Sequence, residues 1–161
     1  MKTTTHWALA LVIAASLSTA AVAATDRENW LVLERVGSDR PEVLTVVREL
    51  PALPARTGFP VLVEIIWGYK ALANGMPAAQ EGALSKRFLD SLDAIFGARG
   101  VHVMTRTGDG QRTMYYYVDN PDRHTEAMKK FFDALPPLKL EVRARDEPDW
   151  ETVREVREAI K

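Results

Sequence analysis

The chain contains no cysteine. That absence removes thiol nucleophiles, thiolate metal sites, dithiol exchange and disulfide staples, so the core alone must hold the fold. Histidine is scarce. Beyond the first two dozen residues only His102 and His124 remain, with no H-x-x-x-H spacing, which leaves zinc without a ligand set. Serine is equally thin there: Ser38, Ser85 and Ser91, none within a G-x-S-x-G elbow, so a Ser-His-Asp triad is not expected. The formal net charge is only −1, which gives no basic excess for nucleic acid and no acidic tail. After the N-terminus there is no apolar run long enough to span a bilayer, and no Gly/Ser-rich or repeated segment.

What is present fits one globular α+β domain: 161 residues, 47% hydrophobic and 27% charged. The first 24 residues read as a separate object, a cleavable signal peptide. Lys2 supplies a short positive region, the run from Ala8 to Ala15 an apolar one, and Ala21-Val22-Ala23 an A-x-A cleavage pattern. The apolar run is roughly 10 residues, half of what a spanning helix needs. Cleavage is expected after Ala23 or Ala24, releasing a periplasmic or secreted domain over residues 25–161 with no stable membrane span. Loss of Lys2 leaves 20 of the 21 basic residues against 22 acidic ones.

The stretch from Pro60 to Ala144 alternates strand-like and helix-like patterns. Val61 to Trp67 reads as a strand with Val61, Val63, Ile65 and Trp67 on its helix-facing side. Pro77 to Phe96 reads as an amphipathic helix with Pro77 at its first position, and Leu84, Phe88, Leu92, Ile95 and Phe96 form one stripe. Val101–Thr107 and Gln111–Val118 form a hairpin around Gly108-Asp109-Gly110. Pro121 to Leu135 is a second helix capped by Asn120, and Leu138 to Ala144 a half-buried strand. That order is the ferredoxin-like, split βαβ arrangement βαββαβ. Trp30–Val36 and Glu42–Leu50 add an N-terminal β-hairpin through the loop 37–41. Asp146 to Trp150 opens a C-terminal helix with Trp150, Val153, Val156 and Ile160 on one side. The proline-rich stretch Pro51–Pro60 reads as an irregular connection.

Function is less legible. Val101 and Val103 are expected to face the helices, leaving His102, Met104 and Arg106 on the opposite face. Met114, Tyr116 and Val118 are placed inward, leaving Tyr115 and Tyr117 beside that set. A face mixing aromatic, soft and cationic groups suits binding, so His102, Arg106, Arg112, Tyr115 and Tyr117 are the candidate binding residues. Catalytic residues, a metal site and a cofactor are not expected. The carboxylates Asp146, Glu147 and Asp149 lack calcium-loop spacing and read as helix capping. Glu64 and Glu141, with Arg106 and Arg143 among them, read as a salt-linked sheet surface. The enzymatic alternative is a small carboxylate-based hydrolase or transferase with Arg112 in a cleft. A structural role through edge-strand pairing into a homodimer stays open.

The landmarks Trp30, Asn74-Gly75-Met76-Pro77, Gly110-Gln111-Arg112 running into Tyr115-Tyr116-Tyr117-Val118-Asp119, and Asp146-Glu147-Pro148-Asp149-Trp150 give the chain a likeness. It resembles family 695 of the domains of unknown function over nearly all of residues 25–161. The resemblance implies no established activity and carries over no catalytic residues. Some members are similar, in a neighbouring segment, to the regulator of ribonuclease activity B. Such a segment is not expected beside the domain over residues 25–161, and the expected export would separate it from a cytoplasmic ribonuclease. The expectation is therefore a non-catalytic binding or protein-interaction module, its protein or small-molecule partner unknown. Intact-mass analysis of the protein recovered from a periplasmic fraction is expected to give a chain beginning at Ala24 or Thr25. A mass that retains residues 1–23 contradicts the leader.

Overall fold

The computed structural model describes residues 29–35, 40–135 and 139–160. The expected leader, most of the loop 37–41 and Leu138 lie outside the described residues. The elements in chain order are β1 (Trp30–Arg35), β2 (Glu42–Val47), α1 (Leu53–Arg56), β3 (Val61–Gly68) and α2 (Ala79–Phe96). They continue with β4 (Gly100–Gly108), β5 (Gln111–Val118), α3 (Asp122–Asp133), β6 (Lys139–Asp146) and α4 (Glu151–Ala159).

The six strands form one antiparallel sheet in the order β1-β2-β4-β5-β3-β6. β3 and β4 run parallel with β5 between them and are joined through α2. β5 and β6 run parallel with β3 between them and are joined through α3. Two interleaved split βαβ units of this kind are compatible with the ferredoxin-like arrangement read from the sequence. β1 and β2 extend the sheet outward from β4, as the expected hairpin requires.

Period-2 alternation divides the apolar side chains between the two faces. Val63, Ile65 and Trp67 of β3, with Met114, Tyr116 and Val118 of β5, pack against Phe88, Leu92 and Phe96 of α2 and Met128 of α3. Leu62, Tyr117, Val101, Val103, Met104 and Val46 pack on the other face against Trp150 and Val153. Asp109 and Gly110 both have positive φ, 49° and 76°, which suits a two-residue turn whose twist matches the strands. The loop before α2 docks on that turn. The Gly110 N–H donates to the Gly75 carbonyl at 2.8 Å. A Cβ on Gly75 would lie 3.1 Å from the Asp109 Cα, so only glycine fits this contact.

α4 closes the second core. Trp150 precedes the helix in a left-handed conformation, φ 56°, and donates from Nε1 to the Phe59 carbonyl at 2.9 Å. Its ring stacks on Tyr117, centroids 4.1 Å apart and planes 5° from parallel. The Tyr117 hydroxyl donates to Glu147 Oε1. Glu147 also accepts the Thr152 N–H at 2.7 Å and the Arg145 Nε–H at 3.1 Å, so it caps α4. Burial pushes the Glu147 carboxyl up, but the Tyr117 hydroxyl, both Thr152 donors and Arg145 outweigh it, and the group ends below its usual range.

Several expectations are corrected. Val101 and Val103 do not face α2 and α3; they belong to the α4-side core. Val101 and Val103 alternate regularly with His102, which takes the α2 side, and a bulge between His102 and Met104, with Val103 the extra residue, then puts Met104 and Arg106 on the α4 side with them. Pro51–Pro60 contains one helical turn, α1, with Pro54 in its first turn, where a missing N–H costs nothing. Pro77 does not start α2, which begins at Ala79, because Pro77 bridges Ala71. β6 is nearly all exposed rather than half-buried, since it is the sheet edge; Val142 is 40% exposed. Among the described residues no helix is long and apolar enough to cross a membrane.

Trp150→Ala should lower the unfolding free energy by about 3–5 kcal/mol, the usual range for emptying a fully buried aromatic site. Val142→Ala at the exposed edge should cost less than about 1 kcal/mol. Urea denaturation followed by far-UV circular dichroism measures both.

Candidate functional site

α2 and α3 pack over β3 and β5, but the sheet continues past them through β4, β2 and β1. The step between α2 and this extension forms a groove of about 600 Å³, within the size range of small-molecule sites. The β4 bulge sets its floor: beyond it Thr105 and Thr107 share a face with His102, whereas Met104 and Arg106 turn to the α4 side. Trp30 and Val32 of β1 and Thr45 of β2 form one wall. Leu89 and Asp93 of α2 form the other, with Met76, Pro77 and Arg112 also lining the groove.

The polar groups here are oriented by defined partners. His102 Nε2 lies 3.1 Å from the Met104 carbonyl and 2.9 Å from Thr105 Oγ1. A carbonyl only accepts, so Nε2 carries the proton and Nδ1 is the acceptor. Burial, against the Met104 hydrogen bond, lowers the His102 pKa to about 4, and the ring is neutral at pH 7. Its ring stacks on Tyr116 at 4.6 Å and meets Trp30 at 4.9 Å. The Tyr116 hydroxyl donates to Asp93 Oδ1 at 2.7 Å. Burial raises the Asp93 pKa despite that bond, and Asp90 adds to the rise. Arg112 donates from Nε to Thr107 Oγ1 at 2.9 Å and lies over the Trp67 ring, 6.0 Å from its centre. Burial holds its guanidinium below its ordinary pKa.

The five candidate residues therefore occupy three places. His102 and Arg112 line the α2-side groove. Arg106 and Tyr115 lie on the opposite face, beside a second hollow of about 480 Å³ that Thr113 and Gln111 also line. There Arg106 forks onto Glu42, which raises its pKa, and burial raises that of Tyr115. Tyr117 is fully buried beneath Trp150 and presents nothing to solvent. The expected single face of His102, Arg106, Tyr115 and Tyr117 is thus split by the bulge and by α4. Asp93, Thr105 and Thr107 carry no local sequence signal that marks them as site residues; Trp30 stands out only as a landmark. Glu64 pairs with Arg145 at 2.6 Å and Glu141 with Arg143 at 2.6 Å, and neither lines either hollow.

The described residues define an α+β protein with a six-stranded antiparallel sheet, two helices on one face and a C-terminal helix on the other. The chain belongs to the family of unknown function DUF695, whose pattern matches residues 28–156. No curated protein and no solved structure matches it.

A histidine whose folded pKa lies below its unfolded value binds its proton first in the unfolded chain, so acidification costs stability. The contribution of His102 is complete above pH 6.5 and falls away as pH drops toward about 4. Unfolding free energies measured by urea titration should decline across that window. His102→Gln should flatten the upper part of the decline, above about pH 5, where ordinary carboxylates remain ionised.

Proposed function

We propose that this chain is a non-catalytic binding module that holds a small molecule in the α2-side groove, acting outside the cytoplasm after loss of its leader. The observation that carries the reading is the groove itself: apolar and aromatic surfaces from β1 and α2, with oriented polar groups on its floor and on the α2 wall. Four landmarks of the family resemblance, Trp30, Met76, Pro77 and Arg112, line it together. The carboxylate-enzyme alternative loses support because Glu64 and Glu141 are tied to separate arginines away from both hollows.

A second reading, docking of a protein partner on the Arg106–Tyr115 face, draws on the uncovered half of the α4-side surface. Leu62 and Tyr117 are sealed by α4, whereas Thr113 and Tyr115 line an open hollow.

Backbone amide NMR with a mixed library of anionic, cationic and neutral compounds tests these readings. Shifts clustering at Trp30, His102, Thr105 and Arg112 are expected. Shifts confined to Arg106, Thr113 and Tyr115 would move the site to the other face. A library that perturbs neither face overturns the small-molecule reading.

A further inference from the structure

Arg112 is unlike the other arginines of the described chain that form ion pairs. Arg40, Arg99, Arg106, Arg123, Arg143 and Arg145 are exposed, and each holds a carboxylate within 3.1 Å. Arg112 is half-buried, and no carboxylate lies within ion-pair distance of it among the described residues. Its Nε–H is satisfied by Thr107 and its face by Trp67, contacts that fix the plane but bring no negative charge. Four further N–H bonds of the fork remain for another acceptor. Glu81 reaches Arg112 only from beyond ion-pair distance, and burial outweighs it. A cation taken partly out of water with no carboxylate in contact costs free energy, and an anion delivered to it recovers part of that cost.

The remaining charges of the groove limit how much negative charge it takes. Lys86 is already paired with Asp90 at 2.6 Å. His102 is a neutral ring that donates to the Met104 carbonyl. Among the described residues Arg112 is therefore the one cation lining the groove without a carboxylate in ion-pair contact, and Asp90 and Asp93 line the far wall. A dianion would meet those carboxylates with only one guanidinium to offset it, whereas a planar carboxylate matches the fork with a single charge. The Thr107 hydroxyl, which accepts from Arg112, keeps its own proton to donate beside that carboxylate. Between Arg112 and that acidic wall the groove offers apolar and flat surfaces: Leu89, Met76, and the Trp30 and His102 rings, which meet at 49°.

We propose that the groove binds a small monocarboxylate with a flat apolar body, its carboxylate on Arg112 and Thr107 and its body along Trp30, His102 and Leu89. The proposal rests on the binding-module reading above and adds the charge and shape of the ligand.

Calorimetric titration and amide NMR with indole-3-acetate, indole-3-acetamide, tryptamine, inorganic phosphate and an acetylated tripeptide ending in tryptophan test it. Indole-3-acetate is expected to bind with shifts at Trp30, Thr107 and Arg112, and the uncharged amide at least roughly tenfold more weakly. Arg112→Gln should remove that preference, and Arg112→Lys should keep part of it. The comparison of acid with amide uses the unaltered protein, so it decides the question even where a variant folds poorly. Equal binding of acid and amide in the groove overturns the charge assignment while leaving the binding module standing. Tighter binding of tryptamine, of phosphate or of the tripeptide overturns the proposed ligand class. Concentration-dependent shifts at the same residues without any probe assign the groove to a second copy of the chain and overturn the proposal. No groove shift with any of these probes up to millimolar concentration overturns the proposal, while the reading beneath it falls only if the mixed library also leaves the groove unperturbed.

Discussion

The bulge at Val103 decides the chemistry of both sheet faces. Were the same residues in a regular, unbulged strand, alternation from His102 onward would place Met104 and Arg106 on the α2 side and Thr105 and Thr107 beneath the opposite surface. With the bulge, Val103 and Met104 both enter the α4-side core, and every later residue of β4 changes face. The threonine floor of the groove and the removal of Arg106 from it are consequences of that one bulged pairing. Bulges that re-aim side chains beside a functional surface are a recurrent use of this irregularity.

A second constraint is the uneven coverage of the sheet. Six strands are wider than the two helices packed on one face and longer than the nine-residue helix on the other. Each face is therefore sealed in one part and open in another. The sealed parts hold the large aromatics Trp67, Phe88, Tyr117 and Trp150. In the open parts most charges are neutralised in pairs, as with Arg106 and Glu42 or Arg145 and Glu64. Exposed pairs of this kind add little to stability, and their effect is to leave a surface with few unbalanced charges. Against that background a half-buried guanidinium in a groove, with no carboxylate in ion-pair contact, stands apart from the paired arginines of the sheet.

Much of the fold was legible because its signals are local. Val61 to Trp67 and Gln111 to Val118 alternate with period 2, the Asp109-Gly110 turn is marked by residues that tolerate positive φ, and the α2 stripe repeats at helical spacing. The bulge was not legible, since Val103 is neither glycine nor proline and a valine fits a regular strand equally well. Nor was the exposure of β6: Leu140, Val142 and Ala144 alternate with Lys139, Glu141 and Arg143 as a half-buried strand would, and only the reach of the helices decides what is covered. Of the candidate site, the chemical types were readable but their grouping was not. His102 and Arg112 share a groove only through the bulge and the β1-β2 extension, and Tyr117 is hidden by a helix more than thirty residues away in sequence.

The packing of Trp150 on Tyr117 also sets an order of events. Tyr117, Leu62 and Val101 are complete as soon as their strands exist, yet they are shielded only when residues 147–153 arrive at the far end of the described chain. A polypeptide made or threaded from its N-terminus thus carries a broad apolar sheet surface, open to water, through most of its emergence. The native packing of that face is therefore reached only after residues 147–153 have emerged, and until then the chain depends on something else to keep that surface from associating.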